Sequence, residues 1–196
     1  VYADGTGNYL LNLSRGSLFE STGDLPAVID AATDSGNQLA NTGADSVLML
    51  GFNPSTAGVS QAYFSFNLSD IYFDSIATPI SAVLELQLAS STQNINPFEV
   101  SVFACNQFVE ASVTYTNAPA CSNSEVTKTT ISSNSGTDVE WDITSLLQTN
   151  FFTNNDSVTF TLVPEIGVTN NIEFYSSENI DDLKPNLKVI YIENIG

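Results

Sequence analysis

Histidine is missing from all 196 residues, and basic side chains are nearly missing too: Arg15, Lys128, Lys184 and Lys188 stand against 22 Asp and Glu, a formal charge of −18. Without histidine there is no Ser-His-Asp triad, no Cys-His dyad and no His-ligated zinc or iron site. With so few cations the chain cannot neutralise a phosphate backbone, and anionic lipid would repel it. Nucleic acid and membrane surfaces are therefore disfavoured as partners, which leaves cations, neutral glycans and proteins. No apolar run approaches the roughly 18 residues of a membrane span, and no charged-then-apolar leader is present. Charged residues make up only 13%, so the polar surface must be built from Ser, Thr, Asn and Gln. Cysteine is scarce as well, with two residues. An even count fits one bridge in an oxidising compartment. Together with a first residue, Val1, that suggests processing, it predicts an extracellular or cell-surface protein.

What is present is strand patterning. Ala62, Phe64, Phe66 and Leu68 alternate with Tyr63, Ser65 and Asn67, and Ala82, Leu84, Leu86 and Leu88 alternate with Val83, Glu85 and Gln87, each a period of two with one apolar face. Phe98, Val100 and Val102 are in phase in the next segment, which is expected to lie beside residues 80–88 as an antiparallel neighbour. Residues 47–52, 139–143, 157–163, 171–176 and 187–192 read as further strands, and 122–137 as a Ser/Thr/Asn-rich connection. Asp142 or Thr144 can cap a short helix over 142–148. Strands punctuated by turn residues predict an all-β fold, an antiparallel two-sheet β-sandwich of jelly-roll type. Gly16, Gly23 and Pro26 punctuate the chain ahead of Val28. They predict an N-terminal extension over 1–27, with Tyr9, Leu11 and Leu13 on one side of a strand, and a sandwich domain over 28–196.

Phe108-Val-Glu-Ala-Ser-Val-Thr-Tyr-Thr-Asn-Ala-Pro119 resembles the Trp-x-Glu-x-x-Val-Thr-Trp-x-Asn-Ala-Pro segment of the DNRLRE family, extracellular β-sandwich domains related to carbohydrate-binding modules. Residues 62–71, 141–147, and 174–178 through 184–191 resemble further passages of that family in the same order. The resemblance spans about residues 28–192 and implies a jelly-roll-like sandwich with a non-catalytic role.

Candidate sites follow from chemistry. Cys105 and Cys121 flank a segment that must turn back on itself. A disulfide is expected there, and closing a loop of about 15 residues contributes on the order of 3 kcal/mol. Glu110 and Asn117 inside it are expected to organise the loop. Paired carboxylates could in principle cleave glycosides, and Glu110, Glu140, Asp142 and Glu178 are the acids to consider, although strand-end acids more commonly cap or face water. Calcium is the metal that abundant oxygen donors would suit. Asp30, Asp34, Asp45 and the pair Asp181 and Asp182 are its candidate loop acids, with no Asp-x-Asp-x-Asp-Gly loop among them. Tyr63, Tyr72, Tyr115, Trp141 and Tyr175 are the rings that could stack on sugar. Asn12, Asn67 and Asn155 occupy glycosylation sequons.

The leading expectation is a structural protomer that polymerises by adding its N-terminal strand to a neighbouring copy's sheet. The alternative is a carbohydrate-binding module, alone or within a larger secreted protein.

Overall fold

The structure, a computed structural model, describes residues 2–3, 9–10, 17–69, 78–89, 95–133, 135, 137–148, 157–179 and 183–195. It is all-β and antiparallel. β1 (Tyr2–Ala3) and β2 (Tyr9–Leu10) form a small ribbon of their own, Tyr2 opposite Leu10 and Ala3 opposite Tyr9.

The strand that orders the rest is β3 (Ser17–Asp34). Its first half pairs with β12 (Asn186–Ile195), from Ser17 opposite Ile195 to Pro26 opposite Asn186. Its second half pairs with β5 (Gly58–Asn67), from Ala27 opposite Phe66 to Asp34 opposite Ser60. Pro26 has no N–H to give a ladder, and it stands where β3 leaves one sheet for the other, just before a bulge between Ala27 and Ile29. The boundary expected at residues 27 and 28 therefore falls inside a continuous strand.

One sheet continues from β12 to β6 (Thr78–Gln87) and β9 (Asp138–Asp142). The other continues from β5 to β10 (Ser157–Pro164), β7 (Phe98–Cys105) and β8 (Thr127–Ile131). The outermost strands of this row meet, since the Thr129 hydroxyl of β8 donates to the Glu140 carbonyl of β9 at 2.8 Å. β4 (Val47–Asn53) and β11 (Asn171–Tyr175) pair with each other and join β5 through Gly51–Asn53 and β6 through the Leu88–Phe174 bridge. The sandwich is thus nearly closed. β6 and β7, expected as neighbours, lie in opposite sheets, since β6 pairs with β12 and β9 whereas β7 pairs with β10 and β8. β8 falls within the stretch read as a connection: Thr127, Lys128, Thr129 and Thr130 look like loop composition, and only Ile131 is buried.

The alternating apolar faces meet as predicted. Ala62, Phe64, Phe66 and Leu68 share one core with Ala82, Leu84, Leu86 and Leu88, a burial that stabilises by roughly 1.5–3 kcal/mol for each large side chain. Trp141 is fully buried, lies edge-on to Phe174 at 6.1 Å, and donates its Nε1–H to the Val100 carbonyl at 3.1 Å, tying β9 to β7 across the layers. The helix α1 (Thr144–Gln148) is shorter than expected and begins after Asp142, whose carboxylate accepts the Thr144 N–H at 2.9 Å.

The outer face of the second sheet departs from the sandwich pattern. Ala31, Thr33, Tyr63, Ser65, Thr159 and Thr161 should face water by alternation, and all are buried. The segment between Cys105 and Cys121 covers this face. The two cysteines are disulfide-bonded, Phe108 packs edge-on against Tyr63 at 6.0 Å, and Gln107 donates to the Ser157 hydroxyl. Breaking this bridge should loosen the cover. The double variant Cys105→Ser/Cys121→Ser is expected to lose about 3 kcal/mol, lowering Tm by roughly 6–12 °C for a chain of this size, as thermal unfolding by circular dichroism would show.

Candidate functional site

Three segments converge on the edge of β3 that faces away from β5: the loop 35–46, the disulfide-closed corner, and the turn that follows β11. The loop is fastened to β3 by Thr42, whose hydroxyl accepts the Ala32 N–H at 2.7 Å and donates to the Ala32 carbonyl at 2.9 Å. The corner is fastened to the loop by Asn41, whose Nδ2 donates to the carbonyls of Glu110 at 2.6 Å and Val113 at 2.7 Å. Within the corner, Thr114 and Asn117 form a reciprocal cap, the Thr114 N–H donating to the Asn117 Oδ1 at 2.6 Å. Asn117 Nδ2 donates to the Ser112 carbonyl at 2.9 Å. Asn117 thus acts within the corner through its side chain, whereas Glu110 enters these bonds through its main-chain carbonyl.

The carboxylates sort into separate groups. Asp30 has no exposed surface. Its Oδ2 accepts the Ser177 N–H at 2.6 Å, and its own N–H donates to Glu110 Oε1 at 2.8 Å. Asp30, Glu110 and Glu178 bring one carboxylate oxygen each to within 4.8 Å of one another. Burial, with smaller additions from the charges of Glu178 and Glu110, pushes Asp30 up to about 7 against the opposing Ser177 N–H. Burial also raises Glu110 above the ordinary carboxylate range.

The other acids lie elsewhere. Asp34 accepts the Gly36 N–H at Oδ1 and the Asn53 amide and Thr56 hydroxyl at Oδ2. Glu140 is exposed on β9. Asp142 is held below its ordinary range by the hydroxyl and N–H of Thr144. Of the acids considered for glycoside cleavage only Glu110 and Glu178 come together, and of those considered for calcium only Asp30 joins them. Asp34 and Asp45 line a different feature, and Asp181 and Asp182 lie outside the described residues. The sequence signal for Glu110 was its place in the corner motif; nothing local marked Glu178 as its partner.

That different feature is a cleft of about 270 Å³ between the loop 35–46 and the outer faces of β4 and β11, lined by Asp34, Asn37, Asp45, Met49, Asn53 and Glu173 among others. Tyr175 shares the face of Glu173, two residues along β11, and pairs with Val47, which also lines the cleft. It is half-buried there. A shallower depression of about 400 Å³ lies on the corner itself, lined by Gln107, Phe108, Ser112 and Asn117 among others.

Two of the rings expected to meet sugar are instead structural. Tyr63 is 3% exposed beneath Phe108 and Trp141 is 0% exposed in the core, because the corner covers the one and both sheets enclose the other. Tyr115 is 41% exposed in the corner. Asn67 is half-buried with its Oδ1 accepting the Ser69 N–H. Tyr72, Asn12, Asn155, Leu11 and Leu13 lie outside the described residues.

The structure is thus a nearly closed antiparallel sandwich with a cleft beside β4 and β11 and Tyr175 close to Val47 at its margin. The chain belongs to carbohydrate-binding module family 96, whose family model matches residues 21–191. The match begins within the first half of β3, so residues 21–27 are part of the module. No curated protein matches the chain. Kinship with carbohydrate-binding modules, implied by the DNRLRE-like passages, is what this match supports.

Gly43 is where the loop and corner touch most closely. A Cβ there would come within 2.5 Å of Glu110 Cγ and 2.8 Å of the Glu110 carbonyl oxygen, which Asn41 already holds in place. Gly43→Ala is expected to cost about 1–3 kcal/mol through overpacking, read as a lowered urea midpoint with an unchanged m-value.

Proposed function

We propose that the chain is a non-catalytic, extracellular module of DNRLRE type that binds a neutral polysaccharide in the cleft between the loop 35–46 and β4–β11. The observation that carries this reading is the family match over residues 21–191. The chemistry of the cleft supports it. Asp45, Glu173, Asn37 and Asn53 offer acceptors and amides to sugar hydroxyls, and Tyr175 offers a ring face beside them. A uronate or sulfated glycan would bring its own negative charge against Asp34, Asp45 and Glu173 on a chain of net charge −18. Self-assembly through Tyr9, Leu11 and Leu13 has no observation in its favour among the described residues, where Tyr9–Leu10 pairs with Tyr2–Ala3.

Affinity electrophoresis in gels containing β-glucan, xylan, mannan, alginate or pectate tests the reading. At least one neutral polysaccharide should retard the protein while the uronates do not. Tyr175→Ala should weaken that retention roughly five- to tenfold, the worth of one aromatic contact, and Tyr115→Ala should leave it unchanged. Retention by uronates alone, or by none of the panel, would overturn the proposal.

A further inference from the structure

We propose that Asp30, Glu110 and Glu178 hold a hard divalent cation, calcium by the chemistry of its donors, that pins the disulfide-closed corner and the turn after β11 to β3. The three carboxylate oxygens lie within 4.8 Å of one another. Ligands on one calcium at 2.3–2.6 Å are at most about 4.6–5.2 Å apart, a span that accommodates them. The independent observation is the state of Asp30. Its side chain has no exposed surface, and its Oδ1 receives no hydrogen bond among the described residues, although Oδ2 is taken by Ser177. A buried carboxylate oxygen left without a donor is costly, and this one belongs to a carboxylate that faces two others.

Among the described residues no basic side chain pairs with them: the two ion pairs there are Lys128–Glu99 and Lys188–Glu85. An oxygen accepting a backbone N–H keeps a lone pair, so Asp30 Oδ2 and Glu110 Oε1 remain able to ligate. The donors are oxygen alone, with no histidine in the chain and both cysteines bridged, so the site selects a hard ion over zinc or copper. Calcium tolerates irregular oxygen sets, whereas magnesium demands near-octahedral geometry and keeps its waters.

The test is thermal unfolding and equilibrium dialysis of the whole chain in EDTA, in calcium chloride and in magnesium chloride. Calcium at about a hundred times its Kd should raise Tm by roughly 5 °C or more over EDTA, with magnesium giving a smaller shift. Dialysis should show one saturable calcium per chain above the diffuse binding of an acidic surface. Glu178→Gln alters an exposed side chain and should keep the fold while abolishing most of the calcium shift; Asp30→Asn should abolish it entirely. Asp138→Asn, an exposed acid on β9, should retain it. Equal Tm values in calcium and EDTA would overturn the proposal, as would a shift that survives both Glu178→Gln and Asp30→Asn. Glycan retention is read separately, so loss of the calcium response leaves the cleft proposal standing.

Discussion

A carboxylate with no exposed surface stands in the strand that both sheets share, and much of the outer architecture is arranged around it. Removing a charge from water is costly unless it is paired, hydrogen-bonded or neutralised. Asp30 meets that demand only in part, through one N–H from Ser177. The segments that reach it are those that give the module its outer surface. The corner arrives with Glu110, which accepts the Asp30 N–H, and the turn after β11 arrives with Ser177 and Glu178. The loop 35–46 is locked beneath the corner by Asn41 and against β3 by Thr42. Asp30 holds two of these segments directly, and the loop is bonded to both of them, to the corner through Asn41 and Gln38 and to the turn through Asp45 and Ser46.

This explains why the second sheet is buried on both faces. A strand exposed on one side alternates apolar and polar residues, and β5 does so, with Tyr63 and Ser65 opposite Phe64 and Phe66. Yet Tyr63 and Ser65 are as inaccessible as the core. Part of their polar surface is satisfied under cover, the Thr159 hydroxyl bonding Ser65 and the Thr161 hydroxyl the Ala62 carbonyl, whereas the Thr33 hydroxyl has no hydrogen-bond partner among the described residues. A polar outer face can be roofed by a loop only if the loop is constrained, because an open segment of this length would gain entropy by leaving. The disulfide closes it at the end of β7, and Gly43 lets it approach the loop beneath.

The sandwich itself was legible because the strongest strands carry a strict period of two: β5, β6 and β7 each show their core face in sequence, and the structure buries those residues. Composition misled where an edge strand looks like a loop. Thr127–Ile131 has little apolar surface to show, since its outer neighbour is only β9. Gly23 and Pro26 read as a domain boundary, but β3 uses Pro26 at its change of partner, where a missing N–H costs nothing to the ladder. The closure of the corner was readable from Cys105 and Cys121, but not its two short helical turns or its packing over Tyr63. The acidic cluster was not, because Asp30 and Glu110 are 80 residues apart and Glu178 follows a different strand. Their meeting is a property of strand order, which periodicity does not determine. Tyr63 was misplaced for a related reason: alternation says which way a ring points, not what later covers it.

The distribution of charge links these features to recognition. Two of the four cations are committed to cross-strand pairs, Lys128 with Glu99 and Lys188 with Glu85, on neighbouring strands away from the cleft. Among the described residues no ion pair involves the acids around the cleft, and they differ in what they can do. Asp34 already accepts from Gly36, Asn53 and Thr56, so it shapes the wall and adds field without being free to engage a ligand. Asp45 and Glu173 keep acceptor capacity toward the cleft. A sugar hydroxyl can donate to such oxygens, and a charged sugar must pay desolvation while approaching like charge. On the reading proposed above, the scarcity of basic residues that disfavours nucleic acid also favours neutral glycans over charged ones.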